Sequence, residues 1–180
     1  MNAMSSIAIV LHGPTSAGKS SIATSLQDSA LVPAFHVTLD AFVTMSRRRD
    51  MRNPEERQLA YRLHCDNLRS TLKRLVKTNF EIVLDIVLRD EDELQACLSI
   101  LSTRRLYLVG VNAPLSTLEQ RERERQDRGT GMAREQHNHP AFRRTYDVVI
   151  DTSSCTPIEG AAAIRNFIND HGPVKNYELN

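Results

Sequence analysis

The chain has 180 residues, 23 basic and 22 acidic, for a formal net charge of +1. That length suits one domain spanning 1–180, and so even a balance gives no general affinity for polyanions, which argues against a nucleic-acid partner. With 41% hydrophobic and 25% charged residues the composition is that of an ordinary globular chain, and no apolar stretch approaches the ~20 residues of a membrane span.

No basic segment followed by an apolar core suggests secretion. Cys65, Cys97 and Cys155 are far apart and lack metal-ligand spacing, so buried free thiols in a reducing cytoplasm are expected. Oligomeric state is left open.

Ile7-Ala8-Ile9-Val10-Leu11 predicts a buried strand. It leads into Gly13-Pro14-Thr15-Ser16-Ala17-Gly18-Lys19-Ser20, which fits G-x-x-x-x-G-K-[ST], and a helix is predicted over 19–28. Glycines let the backbone wrap an anion with its N–H groups turned inward, and the helix N-terminus adds its positive end. Gly13, Ser16, Ala17, Gly18, Lys19, Ser20 and Ser21 are therefore the candidate phosphate-binding residues. Lys19 would reach the outer phosphates, and the Ser20 hydroxyl would ligate Mg²⁺.

Pro33 marks a turn before Ala34-Phe35-His36-Val37-Thr38-Leu39, a short strand ending at Asp40. A carboxylate there lies at the ligand-binding edge of an α/β sheet, although Asp40 could equally cap the helix begun by Ala41-Phe42-Val43. Residues 45–52 include four arginines and form a basic patch: either solvated surface or a site for an anionic acceptor.

Asn53-Pro54-Glu55-Glu56 reads as a helix start, and Tyr61, Cys65, Leu68, Leu72 and Leu75 form one core-facing stripe, with His64 on its flank. Phe80 to Leu88 is nearly continuous apolar sequence, the mark of a strand buried on both faces. Asp85 interrupts it, and a buried carboxylate is costly unless paired. Either a structural hydrogen bond or Mg²⁺ beside the phosphate loop would account for it. A helix over 91–102 and a strand over 105–111 follow, so strands and helices alternate as in a parallel sheet covered on both faces.

From Glu119 to Arg128 there is no apolar residue. Core packing cannot hold such a helix; it is expected to project into solvent, supported by pairs such as Glu119–Arg123 and Glu124–Arg128. Arg121, Arg125 and Arg128 share a face, and Gly129 and Gly131 add flexible points. A salt-bridged surface helix and a lid over 119–139 closing on the phosphates both fit. His137 and His139 lack a third ligand at metal-site spacing. A fifth strand is expected over 147–151. Thr156-Pro157-Ile158-Glu159 is a capping box that starts a helix with Ile158, Ala161, Ile164 and Ile168 as its core stripe.

Taken together, the phosphate loop, Asp40 after the second strand, Ile82-Val83-Leu84-Asp85, Leu108-Val109-Gly110-Val111, Arg121-Glu122, Arg125, Asp127-Arg128, Gly131-Met132-Ala133, Gln136 and Tyr146-Asp147 resemble the chloramphenicol phosphotransferase-like family of small P-loop kinases. The resemblance runs from Ile7 to about Ile168. It implies an α/β P-loop NTPase fold of nucleoside-kinase type, with a five-stranded parallel sheet and a mobile helical lid. It also implies ATP and Mg²⁺ as cosubstrates and a small hydroxylated acceptor, such as an antibiotic, a metabolite or a nucleotide-sugar. Asp40 then matches the general base, Arg125 and Arg128 match the lid arginines, and Lys19 completes the catalytic set, with Ser20 and Asp85 toward the metal.

Asp85-Ile86 stands where the family's antibiotic kinase has two successive aspartates, and Ala141 stands about where the family has a histidine. The basic segment after Asp40 does not resemble an apolar antibiotic pocket. An ATP-binding regulatory switch without efficient transfer, or a polynucleotide kinase, are the alternative functions.

Overall fold

The computed structural model describes residues 7–124 and 131–171. Five parallel strands form one sheet in the order β2-β3-β1-β4-β5: β1 Ile7–His12, β2 Ala34–Thr38, β3 Glu81–Ile86, β4 Arg105–Asn112 and β5 Val148–Asp151. Seven helices accompany them among the described residues: α1 Lys19–Asp28, α2 Leu39–Val43, α3 Pro54–Leu75, α4 Glu91–Leu101, α5 Leu115–Glu124, α6 Met132–His137 and α7 Pro157–Asp170. Among these no helix is long and apolar enough to cross a membrane.

The near-continuous apolar strands are explained by burial on both faces. Val10, Leu84 and Leu108 point into a core completed by Leu68 and Leu72 of α3 and Leu94 and Leu98 of α4. Ile9, Leu11, Val83 and Val109 point the other way, against Ile22 and Leu26 of α1 and Ile164 of α7. Successive side chains alternate between these two cores, as a pleated strand dictates.

Central β1 pairs with β3 and β4, so the chain after β1 faces the crevice where strand order reverses, the usual ligand edge of an open α/β sheet. Register sets Asp85 beside Leu11 on one side and Thr38 on the other, bringing the ends of three strands to one edge.

The predicted caps are present. Asn53 accepts a hydrogen bond from the Glu56 N–H at 2.8 Å. Thr156 and Glu159 exchange bonds in a full capping box. Two core assignments differ. Ile158 is 75% exposed and Tyr61 is 43% exposed. Each begins the stripe assigned to its helix, ahead of the first buried member, Cys65 in one and Ala161 in the other, so the periodicity runs past the packed length. The second strand also stops at Thr38, and Leu39 and Asp40 open α2 instead. Thr38 is the cap there, its hydroxyl accepting from the Asp40 N–H at 3.3 Å.

Candidate active site

The phosphate loop turns directly off β1 and is held by close packing. A methyl group on Gly13 would lie 2.0 Å from the Val111 carbonyl oxygen, so only glycine lets the chain pass β4 there. Ser16 and Gly18 both adopt left-handed backbone, with φ of 60° and 89°. Such residues amid right-handed ones curl successive N–H groups into an anion-binding concavity. Ser16 lacks the freedom of glycine, so its φ is a strained feature located at the site itself.

The Ser16 hydroxyl is buried with no hydrogen-bond partner, a donor that an entering phosphate oxygen would satisfy. Lys19, 5% exposed, folds back so that Nζ donates to the Pro14 carbonyl at 2.8 Å, holding its charge over the loop.

The Ser20 hydroxyl donates to Asp85 Oδ2 at 2.6 Å, and His36 Nε2 of β2 lies 3.5 Å from the same oxygen. Burial pushes the Asp85 carboxyl up, but His36, Lys19 and Ser20 together outweigh it and hold the group below its ordinary value. Among the described residues no group of three or more His, Cys, Asp or Glu could hold a metal alone. A serine hydroxyl and one carboxylate at a phosphate loop suit Mg²⁺, which keeps waters and leans on substrate phosphates. Oxygen donors in contact at this loop fit that ion.

One cleft brings the sequence-predicted residues together: Ser16, Gly18, Lys19, Ser20, Ser21, Asp40 and Asp85 all line it. Gly13 and Ala17 sit behind it as backbone. Asp40 reaches the cleft from the first turn of α2. A second cleft of about 370 Å³ opens on the other side of the loop, lined by Ser16, Ser21, Arg121, Thr152 and Cys155 among others.

The polar helix is tied down where it is described. Arg121 donates to the Thr152 hydroxyl at 2.8 Å and its carbonyl at 2.9 Å, and Thr152 in turn donates to Ala17 O at 2.9 Å. The carboxylate of Glu122, 4% exposed, accepts from the N–H groups of Gly131 and Ala133, both at 2.8 Å, capping α6. Glu119 accepts from Arg134 at 2.7 Å. The expected projection of this helix into solvent is therefore replaced, up to Glu124, by polar anchoring. Arg125 and Arg128 lie outside the described residues.

Gln136 of α6 stands out in the sequence only through the family resemblance. It is buried, and its Oε1 accepts the Thr15 N–H of the phosphate loop at 2.6 Å. His12 carried no sequence signal at all. Its ring sits between the Leu88 carbonyl, 2.8 Å from Nε2, and the Tyr146 hydroxyl, 2.9 Å from Nδ1. The carbonyl can only accept, so Nε2 carries the proton and Nδ1 accepts from Tyr146. Burial, with Arg144 and Lys19 adding to it, lowers this imidazole to about 4. Neutral His12 thus pins the end of β1, one residue before the loop. His139 caps the short 3₁₀ turn Pro140–Phe142 and holds no metal cluster with His137 among the described residues.

The model of the chloramphenicol phosphotransferase-like protein family matches residues 6–169, nearly the whole chain. The chain belongs to that family. No curated protein matches it. Among solved structures, the tunicamycin resistance protein of Deinococcus radiodurans aligns over 89% of this chain and 94% of its own at 16% identity, with a TM-score of 0.66. The shikimate kinase of Acinetobacter baumannii, in complex with shikimate, aligns over 91% and 93% at 15% identity and 0.66. The APS kinase of Mycobacterium tuberculosis, in complex with AMPPNP and APS, aligns over 92% and 98% at 14% identity and 0.65. At these identities the likeness is one of fold, a P-loop kinase fold. Family and fold together support a phosphotransferase activity in general.

Proposed function

We propose that this chain is an ATP-dependent O-phosphotransferase that moves the γ-phosphate of ATP to a hydroxyl of a small molecule. The observation that supports this reading best is the single cleft that Asp40, Lys19, Ser20 and Asp85 share. A nucleotide switch needs the last three; a carboxylate opposite them is what a kinase adds. The phosphates would lie on the loop from Gly13 to Ser21, and the nucleoside would enter the second cleft, which Arg121 and Thr152 help to line. Bound Mg²⁺ supplies neutralisation of developing phosphate charge, with Ser20 and Asp85 holding it.

Transfer of this kind asks the protein mainly for position and charge. Lys19 steadies the outer phosphates, and Asp40 receives the proton of the acceptor hydroxyl. The acceptor oxygen bonds to the γ-phosphorus as the bond to the β–γ bridging oxygen breaks, releasing ADP. Family resemblance assigns Arg125 and Arg128 to the lid that covers this charge.

Asp40→Asn is the test. ATP affinity, by calorimetry, should stay near that of the parent while turnover falls by about 10²–10⁴, the usual worth of a general base. Equal loss of ATP binding would make Asp40 structural. Failure of hydroxylated antibiotics, nucleosides and sugar nucleotides alike to raise ADP release would move the reading to a switch.

A further inference from the structure

Gln136 is 3% exposed, and a glutamine is costly to bury: its side chain gives up rotamer freedom and its amide gives up water. The contact with Thr15 uses only one end of that amide. We infer that the other end, Nε2, is a donor to the terminal phosphate of the bound nucleotide, so that Gln136 distinguishes a triphosphate from a diphosphate. This rests on the kinase reading and adds the residue that registers the phosphate to be transferred.

Orientation comes first. The Thr15 N–H can only donate, so the amide oxygen must face it, and the two are 2.6 Å apart. The planar amide then turns Nε2, with its two N–H groups, away from the loop backbone. Among the described residues Nε2 meets no acceptor, and it is not closed off from solvent. Donors of that kind, carried on a buried side chain beside an anion site, are available to the anion.

Placement follows from the loop. Amide dimensions keep Nε2 within about 5 Å of the Thr15 nitrogen. Thr15, Lys19 and Ser20 line the first cleft only, with Asp40 and Asp85, whereas Ser16, Gly18 and Ser21 line both clefts. A nucleotide laid across the loop from the second cleft to the first therefore reaches Thr15 with its last phosphate. Gln136 stands at that end.

The side chain is also held in advance. Ala133, three residues earlier on the same face of α6, is fully buried, and its N–H donates to Glu122 at 2.8 Å. Arg134 donates to Glu119 at 2.7 Å, and Glu135 pairs with Arg89 from the chain after β3. With α6 fastened on both flanks, little ordering is left for the moment of binding.

Residue type points the same way. A glutamate would be a stronger acceptor for the Thr15 N–H, but it would set a negative charge beside the phosphates. A methionine would fill the space and leave the Thr15 N–H unmet. Glutamine accepts from the loop and still donates to an anion.

The test uses the full chain labelled with ¹⁵N, with Mg²⁺ and either AMPPNP or ADP, so that no transfer is needed. The Gln136 carboxamide signal is assigned by its loss in Gln136→Met. AMPPNP should shift that signal, and ADP should leave it near its nucleotide-free position. By calorimetry, Gln136→Met should lower the ratio of AMPPNP affinity to ADP affinity about ten- to a hundredfold, the worth of a hydrogen bond to a charged group. Taking the ratio cancels whatever the variant does to the loop as a whole. Gln136→Glu, which still accepts from Thr15, should lower the ratio further by adding repulsion.

An unchanged ratio in both variants would overturn the inference and leave Gln136 a strut of the loop. A carboxamide signal that AMPPNP and ADP shift alike would overturn it too, and that result is read on the parent, whether or not a variant folds. Failure of the parent to bind either nucleotide would overturn the kinase reading itself, an outcome visible without any Gln136 variant.

Discussion

The two sides of α2 are built on opposite terms. On the loop side, Lys19 and Asp85 are about 95% buried and partnered, and Gly13 has no room for a methyl group. On the α3 side, Val43, Met51 and Tyr61 are half-exposed apolar groups around an open cleft. A phosphate is the same in every nucleotide, so its cradle can be rigid and largely preformed. The other side can change its lining at little cost to stability, because few of its atoms support the core. The contrast is therefore between a part where substitution damages the fold and a part where substitution leaves it standing.

Gly13→Ala should break the first side outright. The added methyl meets backbone rather than a yielding side chain, so a loss of about 3 kcal/mol or more is expected. For a chain of this size that lowers Tm by roughly 6 °C or more, readable by calorimetry.

Acid should reach the same side through His12. Its folded value, about 4, is depressed below the ordinary 6.5. The unfolded chain therefore binds the proton first, and stability that is whole above about pH 6.5 is lost as pH falls toward 4. This group alone accounts for about 3 kcal/mol of that loss. In chemical denaturation at pH 7 and pH 4, His12→Asn should be less stable at pH 7 and show a smaller drop by that amount.

Arg121→Ala removes the bonds to Thr152 and should lower stability by about 1–2 kcal/mol, with ATP affinity falling alongside because the second cleft loses its wall. On the other side, Val43→Ser should move stability by no more than about 0.5 kcal/mol in a urea melt, the range of ordinary surface changes. A large loss there would erase the contrast.

What could be read from the sequence follows the same division. The loop, its flanking strand and helix, and the caps at Asn53 and Thr156 are local patterns a few residues long, and all are present. Asp85 was legible because a charge inside an apolar strand demands a partner; its partners, Ser20 and His36, come from two other elements.

Contacts between distant parts carried no such signal. His12 meets Tyr146 across 134 positions, and Thr15 meets Gln136 across 121. Neither follows any periodicity. The polar helix illustrates the limit well: with no apolar face it looked unattached, yet Glu122 is held by backbone amides, which any sequence can supply. Within the basic patch, Arg52 is taken up by Glu56, a pairing four residues apart.

The placement of β1 also bears on how the molecule is made. The strand that carries the loop is made well before its neighbours in the sheet, since β3 and β4 begin only at Glu81 and Arg105. Until those segments leave the ribosome, Ile7 to Leu11 form an apolar ribbon with both edges open, the kind of segment that binds other chains while it waits. The central position that buries β1 in the finished protein leaves both its edges open in the nascent one.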